Sequence, residues 1–210
     1  MIEVLIVDDH AVVREGMKKI LTSDDFIKVT GEASDAPGTL DLIWNNSYDV
    51  IVLDISLPGL SGLELISQIK NEHPKTPILI LSMYPEEQFA MRVLKAGAAG
   101  YLNKESAPEN LVEAVKKIYQ GGYYVSSELA EQLVHTLHGD PNKAPHEMLT
   151  DREYEVFMRI VKGQELKEIA SELSISVKTV STFRTRLLQK MNVKNNVELT
   201  HYAMEYNLIS

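Results

Sequence analysis

The stretch Val50-Ile51-Val52-Leu53-Asp54 decides the fold, because four apolar residues run directly into a single carboxylate. Three other runs also stop at a polar residue. They are Val4-Leu5-Ile6-Val7 before Asp8-Asp9, Ile78-Leu79-Ile80-Leu81 before Ser82, and Tyr101-Leu102-Asn103 before Lys104. Continuous apolar runs are typical of parallel strands that are covered on both faces. Because ligands bind beyond the carboxyl ends of such strands, the polar groups should meet in one pocket at that edge.

The spacing of these runs predicts an α/β domain. The predicted strands are 3–8, 27–32, 50–54, 77–82 and 99–102. The predicted helices between them are Val12–Thr22, Thr39–Asn46, Gly62–Glu72, Glu86–Ala96 and Pro108–Tyr119, with a turn at Pro58-Gly59. Five strands that alternate with five helices predict a flavodoxin-like, doubly wound, five-stranded parallel sheet with helices on both faces.

The rest of the chain predicts a separate all-α domain. We place the first domain at residues 1–122, a linker helix (Ser126–Leu137) and a loop (139–145) within 123–148, and the second domain at 149–210. Thr150 and Glu153 form a capping box before the first helix of that domain. The next predicted elements are a short helix Glu165–Leu173, a turn 174–176, a helix Val177–Met191 and a last helix Asn196–Tyr206. This order predicts a four-helix domain that contains a helix-turn-helix.

Charge separates the same two regions. Residues 1–148 carry a net charge of −10 and residues 149–210 a net charge of +1, and no acid lies within 173–197. Such asymmetry indicates modules with different partners. The chain has no cysteine, signal-like start or apolar span, so we expect a cytoplasmic protein with no disulfide and no membrane partner.

The predicted pocket has the groups needed for phosphoryl chemistry. Asp8, Asp9 and Asp54 would repel one another there, so a cation should lie among them, and oxygen ligands favour Mg²⁺. Asp54 stands alone at its strand end and is the best nucleophile toward phosphorus. Lys104 would supply an ammonium, and Ser82 a hydroxyl, to phosphoryl oxygens. A single aspartate at a strand end is usually a helix cap or a turn residue, but four such ends in this order are not expected by chance.

At these residues the chain resembles known families. Residues 1–120 resemble a receiver domain of a two-component response regulator through Val7-Asp8-Asp9-His10, Leu53-Asp54-Ile55-Ser56-Leu57-Pro58-Gly59, Leu81-Ser82, Ala96-Gly97-Ala98 and Gly100-Tyr101-Leu102-Asn103-Lys104. Residues 149–210 resemble the DNA-binding domain of the NarL/FixJ (LuxR-type) subfamily. There the matching motifs are Leu149-Thr150-Asp151-Arg152-Glu153, Lys167-Glu168-Ile169-Ala170, Leu173-Ser174-Ile175-Ser176 and Lys178-Thr179-Val180.

The resemblance implies a phosphorylation switch. Asp54 would accept a phosphoryl group from a sensor histidine kinase. Mg²⁺ would be held by Asp9, Asp54, the backbone carbonyl of Ser56 and, through water, Asp8. On phosphorylation Ser82 would move toward the phosphoryl group, and Tyr101 would turn inward behind it. Many receivers have proline directly after the lysine, whereas this chain has Glu105.

The helix 177–191 is the predicted DNA-reading element. Its predicted apolar side carries Val177, Val180, Phe183, Leu187 and Met191, and its acid-free side suits phosphate and base contacts. The resemblance places base contacts at Ser181, Thr182 and Thr185. The predicted phosphate contacts are Lys178, Thr179, Arg186 and Lys190. Arg184 falls on the apolar side, and we expect it to reach either a phosphate or Glu172.

The predicted function is a DNA-binding transcription regulator that is not a metabolic enzyme. The +1 charge favours a homodimer on double-stranded DNA, with the linker helix and Val197, Leu199, Ala203 and Met204 as candidate contacts, and RNA polymerase is a further partner. His10 is interpreted as a surface or gating residue, and His135 and His138 as solvated.

Two alternatives stay open. A phosphohydrolase of the haloacid-dehalogenase type would need a second aspartate two residues after the nucleophile, and Ser56 stands there. A phosphorylation-independent DNA-binding regulator with a vestigial receiver is the other.

Overall fold

The computed structural model describes residues 1–57, 60, 62–84, 86–127, 129–131 and 144–209. The chain divides into two compact units, which we call the first unit (1–134) and the second unit (135–210). The predicted turn at Pro58-Gly59, most of the linker helix and loop, and the histidines 135 and 138 lie outside the described residues. In the part of the chain that is described, no helix is long and apolar enough to cross a membrane.

The first unit is the predicted doubly wound domain. Its strands are β1 (Ile2–Val7), β2 (Ile27–Ala33), β3 (Val50–Asp54), β4 (Ile78–Ser82) and β5 (Gly100–Asn103). Its helices are α1 (Ala11–Leu21), α2 (Ala36–Asn45), α3 (Gly62–Glu72), α4 (Glu86–Lys95) and α5 (Ala107–Tyr119). All strand pairs are parallel, in the order β2-β1-β3-β4-β5. The fold-class prediction is confirmed for this unit.

Burial of the strands follows from their apolar runs. Every residue of β3 and β4 is buried, as expected of strands that are covered on both faces. Apolar residues of α1 and α5, among them Met17, Leu21, Leu111 and Val115, pack in one cluster with Val4, Ile6 and Val52 of the sheet. The apolar layer thus stops where each strand reaches its polar residue.

Most element bounds agree with the predictions within one residue, but α2 begins three residues earlier than predicted. Its start is set by Asp35, whose side chain accepts a hydrogen bond from the Gly38 N–H at 2.7 Å. Pro37 lies in the first turn, where a missing N–H costs nothing. The prediction relied on apolar spacing and did not use this cap.

The second unit contains the predicted four helices: α6 (Asp151–Val161), α7 (Leu166–Glu172), α8 (Val177–Lys190) and α9 (Asn196–Glu205). The capping box is present, because Thr150 and Glu153 each accept a hydrogen bond from the other's backbone N–H. Ser176 caps α8 by accepting from the Thr179 N–H. Between α7 and α8 the chain turns through Ser174, whose φ of 53° lies in the left-handed region. These features complete the predicted helix-turn-helix.

Two glycines in helices should respond to alanine in opposite ways. A Cβ at Gly62 would lie 2.5 Å from the carbonyl oxygen of Ile55, so Gly62→Ala should destabilise the first unit by about 1–3 kcal/mol. A Cβ at Gly16 in α1 would meet nothing within 4 Å, so Gly16→Ala should stabilise it by about 0.5–1 kcal/mol. Urea unfolding followed by Trp44 fluorescence measures both. Equal effects of the two changes would contradict the packing described at Gly62.

Candidate functional site

Four strands deliver their polar residues to one edge of the sheet. Asp54 ends β3 and is 2% exposed, while Asp8 and Ser82, at the ends of β1 and β4, are fully buried. Register explains the arrangement, since Asp54 pairs with Leu81 and Ser82 pairs with Asn103, the residue before Lys104. The strand order changes direction between β1 and β3, where ligands bind in open α/β sheets.

The Lys104 ammonium joins three of these strand ends. Its Nζ lies 2.6 Å from Asp8 Oδ2 and 2.7 Å from Asp54 Oδ2. Lys104 opens a 3-10 turn, Lys104–Ser106, which the Asn103 side chain caps by accepting from the Glu105 N–H at 2.8 Å. Glu105 therefore supplies an N–H that the proline of many receivers lacks. The ammonium remains directed into the pocket.

The pocket perturbs the protonation of both partners. Burial raises the pKa of Asp54 despite the opposing charge and hydrogen bond of Lys104, and the Asp8 carboxylate adds to the rise. Burial alone would lower the pKa of Lys104, but Asp54 and Asp8 outweigh it and raise that pKa. One ammonium between two buried carboxylates thus leaves an excess of negative charge.

The donor set fits a hard divalent cation. One ligand atom from each of Asp8, Asp9, His10 and Asp54 lies within 4.8 Å of the others. Three of the four offer carboxylate oxygens, the ligand type that Mg²⁺ prefers. His10 is 69% exposed at its side chain, with Nδ1 2.7 Å from Asp9 Oδ1, so it lies at the rim rather than inside. The interpretation of His10 as a surface residue agrees with this exposure.

Hydrogen bonds hold the carboxylates in place. The Ser56 N–H donates to Asp54 Oδ1 at 3.0 Å, and the His10 N–H donates to Asp8 Oδ1 at 2.8 Å. Sequence reasoning missed Arg14, which donates from Nη1 to the Asp8 carbonyl at 2.6 Å. An arginine in an amphipathic helix carries no signal that distinguishes it from an ordinary surface residue.

Ser82 and Tyr101 are joined through a residue that the sequence did not single out. The Ser82 Oγ accepts from the Tyr84 N–H at 3.0 Å, and the Tyr101 hydroxyl donates to the Tyr84 carbonyl at 2.8 Å. Tyr101 is only 3% exposed. Its ring is thus buried inside the first unit, and its hydroxyl is held by the Tyr84 carbonyl.

In the second unit, α8 exposes most of the residues predicted to contact DNA. The exposed ones are Lys178, Thr179, Ser181, Thr182, Thr185, Arg186 and Lys190. The hydroxyls of Thr182 and Thr185 donate to carbonyls one turn earlier, both at 3.0 Å, so their lone pairs and methyl groups remain for an outside partner. No acidic residue of α8 interrupts this face.

Some predictions for α8 and α9 need correction. Arg184 is half-buried and donates from Nε to Asn196 Oδ1 at 2.7 Å, so the expected contact with Glu172 is wrong; Glu172 accepts from Arg159 and Gln164 instead. Val177 is 43% exposed, because it lies in the first turn beyond the core.

The α9 residues offered as dimer contacts divide into two sets. Leu199 and Ala203 are fully buried in the core of the second unit and cannot form a contact surface, so that part of the prediction is wrong. Val197 and Met204 are 78% and 55% exposed. They lie seven residues apart, which places them on one side of the helix.

Residues 4–116 match the family of response regulator receiver domains, and residues 147–203 match the luxR family of bacterial regulatory proteins. The chain belongs to the NarL/FixJ family of response regulators. It is a two-component response regulator with a receiver domain and a LuxR-type DNA-binding domain. The family consists of DNA-binding transcription regulators. The family predicted from the sequence motifs is confirmed.

Relatives match over nearly the whole chain. The response regulator UvrY of Escherichia coli strain K12 is 38% identical over 209 residues, which cover 99% of this chain and 96% of UvrY. The oxygen regulatory protein NreC of Staphylococcus carnosus is 38% identical over 214 residues, or 99% of each protein. RcsB of Salmonella enterica serovar Typhimurium, solved on promoter P1flhDC with the phosphomimetic BeF3⁻, is 29% identical with a TM-score of 0.68 and covers 96% of this chain and 97% of its own.

The last residue of α8, Lys190, forms an ion pair with a buried carboxylate. Lys190 Nζ lies 2.6 Å from Glu153 Oε2, and Glu153 is 3% exposed. Burial raises the pKa of Glu153, but hydrogen bonds from Lys190 and Thr150 outweigh it and hold that pKa below its usual range. A depressed carboxylate pKa stabilises the fold above the unfolded value, about 4.3, and this contribution disappears as pH falls through the folded value.

Glu153→Gln should therefore lower the free energy of unfolding of the second unit at pH 7 by about 1 kcal/mol. This value is at the low end for a hydrogen bond between charged groups, because Lys190 is partly exposed. At an acidic pH below the depressed pKa of Glu153 in the folded state, the variant and the parent should converge. Urea unfolding of the full chain, followed by NMR signals of residues 151–161, measures the difference. Glu205→Gln, an exposed change on α9, is the control and should match the parent at both pH values.

Proposed function

We propose that Asp54 accepts a phosphoryl group from a sensor histidine kinase and that its phosphorylation controls binding of the second unit to double-stranded DNA, and hence transcription. The observation that carries the proposal is the Lys104 ammonium, held 2.7 Å from the buried Asp54 carboxylate. A buried carboxylate beside an ammonium and further acidic ligands is suited to bind and neutralise a transferred phosphoryl group.

The proposed transfer uses groups of the first unit. A carboxylate oxygen of Asp54 attacks phosphorus of the kinase phosphohistidine, the P–N bond breaks, and the imidazole leaves with the bonding electrons. Lys104 then moves from Asp54 Oδ2 to a phosphoryl oxygen, while its contact with Asp8 keeps it at the site. The Ser82 hydroxyl donates to a second phosphoryl oxygen and can still accept from the Tyr84 N–H.

Mg²⁺ is the proposed cofactor, held by Asp9, Asp54, the Ser56 carbonyl and, through water, Asp8. When bound, it neutralises charge on the phosphoryl oxygens as the transfer proceeds. Lys104 balances only one of the three negative charges of Asp8, Asp9 and Asp54. The site that remains has a net negative charge, which suits a divalent cation. The hydrogen bonds at Asp8 and Asp54 prepare the ligands in advance.

The exposed face of α8 is the proposed DNA-reading surface. Ser181, Thr182 and Thr185 contact base edges, and the side chains around them contact phosphates. The proposed phosphate contacts are Lys178, Thr179, Arg184, Arg186 and Lys190. Lys190 would have to exchange its Glu153 partner for a phosphate, whereas no ion pair is formed by Arg186 among the described residues. Arg186 is therefore the sharper test of this face.

A homodimer is proposed because a domain with a net charge of +1 makes few phosphate contacts by itself, and two-fold pairing doubles them. Val197 and Met204, exposed on α9, are the remaining α9 candidates for that contact.

RNA polymerase is proposed as a partner of the DNA-bound form. Chromosomal DNA as the target makes the cytoplasm the expected compartment. We do not expect the chain to turn over external phosphate esters.

Replacing Asp54 tests the switch. In the parent, Mg²⁺ with beryllofluoride should raise DNA affinity by about tenfold, the usual size of a coupling between two sites. Asp54→Asn should bind DNA with one affinity under both conditions, while Asp41→Asn, an exposed change on α2, should respond as the parent does. Fluorescence anisotropy measures affinity, and light scattering measures mass in the same samples. An equal response of the parent and Asp54→Asn would show that the pocket does not control binding.

Replacing Arg186 tests the DNA surface. The logarithm of affinity falls with the logarithm of salt concentration by about 0.9 for each phosphate contact on duplex DNA. Arg186→Gln should reduce the magnitude of this slope by about 0.9 per subunit and weaken binding to all sequences alike. Lys95→Gln in the first unit is the charge-matched control and should leave the slope unchanged. A preserved slope in Arg186→Gln would remove this side chain from the interface.

A further inference from the structure

The chain that follows α5 lies along the outer edge of β5, the last strand in the sheet order. Tyr124 forms a parallel bridge with Gly100. The Tyr124 N–H donates to the Ala99 carbonyl at 3.0 Å, and the Tyr101 N–H donates to the Tyr124 carbonyl at 3.0 Å. A Cβ at Gly100 would lie 2.9 Å from the Tyr124 carbonyl oxygen, so glycine permits this close approach.

A carboxylate of α4 holds the next residues. The Ser126 N–H donates to Glu86 Oε1 at 3.0 Å, and Glu86 is the first residue of α4. Ser126 Oγ in turn accepts from the Leu129 N–H at 3.1 Å, and Leu129 is 3% exposed. Glu86 therefore holds the residue whose side chain caps the helical turn that follows.

The chain just before Glu86 contacts the proposed phosphoryl pocket. Between β4 and α4, Tyr84 donates its N–H to Ser82 and accepts at its carbonyl from the Tyr101 hydroxyl. Glu86 follows Tyr84 by two residues. Four positions in the sequence therefore separate Ser82 from the carboxylate that holds Ser126, and Tyr84, which bonds Ser82, lies between them.

Strand order gives the direction of a displacement of Ser82. Asp54 lies on β3, Ser82 on β4, and Tyr124 beyond β5. A phosphoryl group on Asp54 attracts the Ser82 hydroxyl toward β3, which is away from the edge where Ser126 lies. An open cavity of about 260 Å³ is lined by Glu86, Tyr101, Asn103, Ser106, Asn110 and Tyr124, among others, and leaves room for the Glu86 side chain to move.

We propose that the outer edge of β5 and the Glu86 carboxylate form a docking surface for residues 123–126, and that phosphorylation of Asp54 releases them from it. The bound segment fixes the course of the chain directly after α5. Release frees that segment and uncovers the edge of β5. This inference rests on the proposed phosphorylation of Asp54 and adds the contact through which it acts.

Amide hydrogen exchange in the full chain tests the docking surface. Without a phosphoryl mimic, the amides of Tyr124, Ser126 and Leu129 should be protected in the parent. Mg²⁺ with beryllofluoride should accelerate their exchange by about tenfold, the scale of one lost hydrogen bond to a charged acceptor. Glu86→Ala should show the fast exchange without the mimic. Glu109→Ala, an exposed acidic residue at the start of α5, is the control and should exchange as the parent does.

The Ser56 amide separates the two ways in which the proposal can fail, because it donates to Asp54 and reports on the pocket itself. If exchange at Ser56 responds to beryllofluoride while Tyr124, Ser126 and Leu129 do not accelerate, the docking surface is wrong and the proposed function stands. Unchanged exchange in Glu86→Ala also overturns the docking surface. If none of these amides responds to beryllofluoride in the parent, the proposed function fails together with the release.

Discussion

The Lys104 ammonium lies between two carboxylates, and the functional edge of the first unit depends on that contact. Lys104 comes from the end of β5, while Asp8 and Asp54 come from β1 and β3. Both carboxylates are almost fully buried, where an unpaired charge is costly, so removal of the ammonium would strongly destabilise the ends of the central strands. The same contact leaves the pocket with surplus negative charge. That surplus makes a divalent cation a fitting partner and makes the site responsive to a phosphoryl group.

The two units differ in where they place their acidic side chains. The first unit brings Asp8, Asp9 and Asp54 together at one edge of its sheet, and Asp8 and Asp54 are buried there. In the second unit, the buried Glu153 pairs with Lys190 at the end of α8, and the outer face of α8 carries no acid. A phosphate backbone would meet hydroxyls and cations there. The family combines a receiver domain and a LuxR-type DNA-binding domain in one chain.

Prediction from sequence succeeded where the cause is local. The buried strands follow from apolar runs, and the capping box at Thr150 follows from residue types three positions apart. Prediction was weaker where the partner of a side chain lies on another element of the structure. Arg14 binds the Asp8 carbonyl, Arg184 binds Asn196, and neither choice follows from helical periodicity. Leu199 was placed on a contact surface because an apolar position on a helix does not reveal which neighbour covers it.

The sequence by itself determined the strand and helix types, the convergence of Asp8, Asp9, Asp54, Ser82 and Lys104, and the family. These follow from continuous apolar runs and from the rule that parallel strands present their carboxyl ends at one edge. Only the tertiary structure decided which oxygen each group contacts, the inward position of Tyr101, and the docking of Tyr124 and Ser126 on β5 and Glu86. Such contacts join residues tens of positions apart. Their geometry depends on packing between elements, which no local pattern of residues encodes.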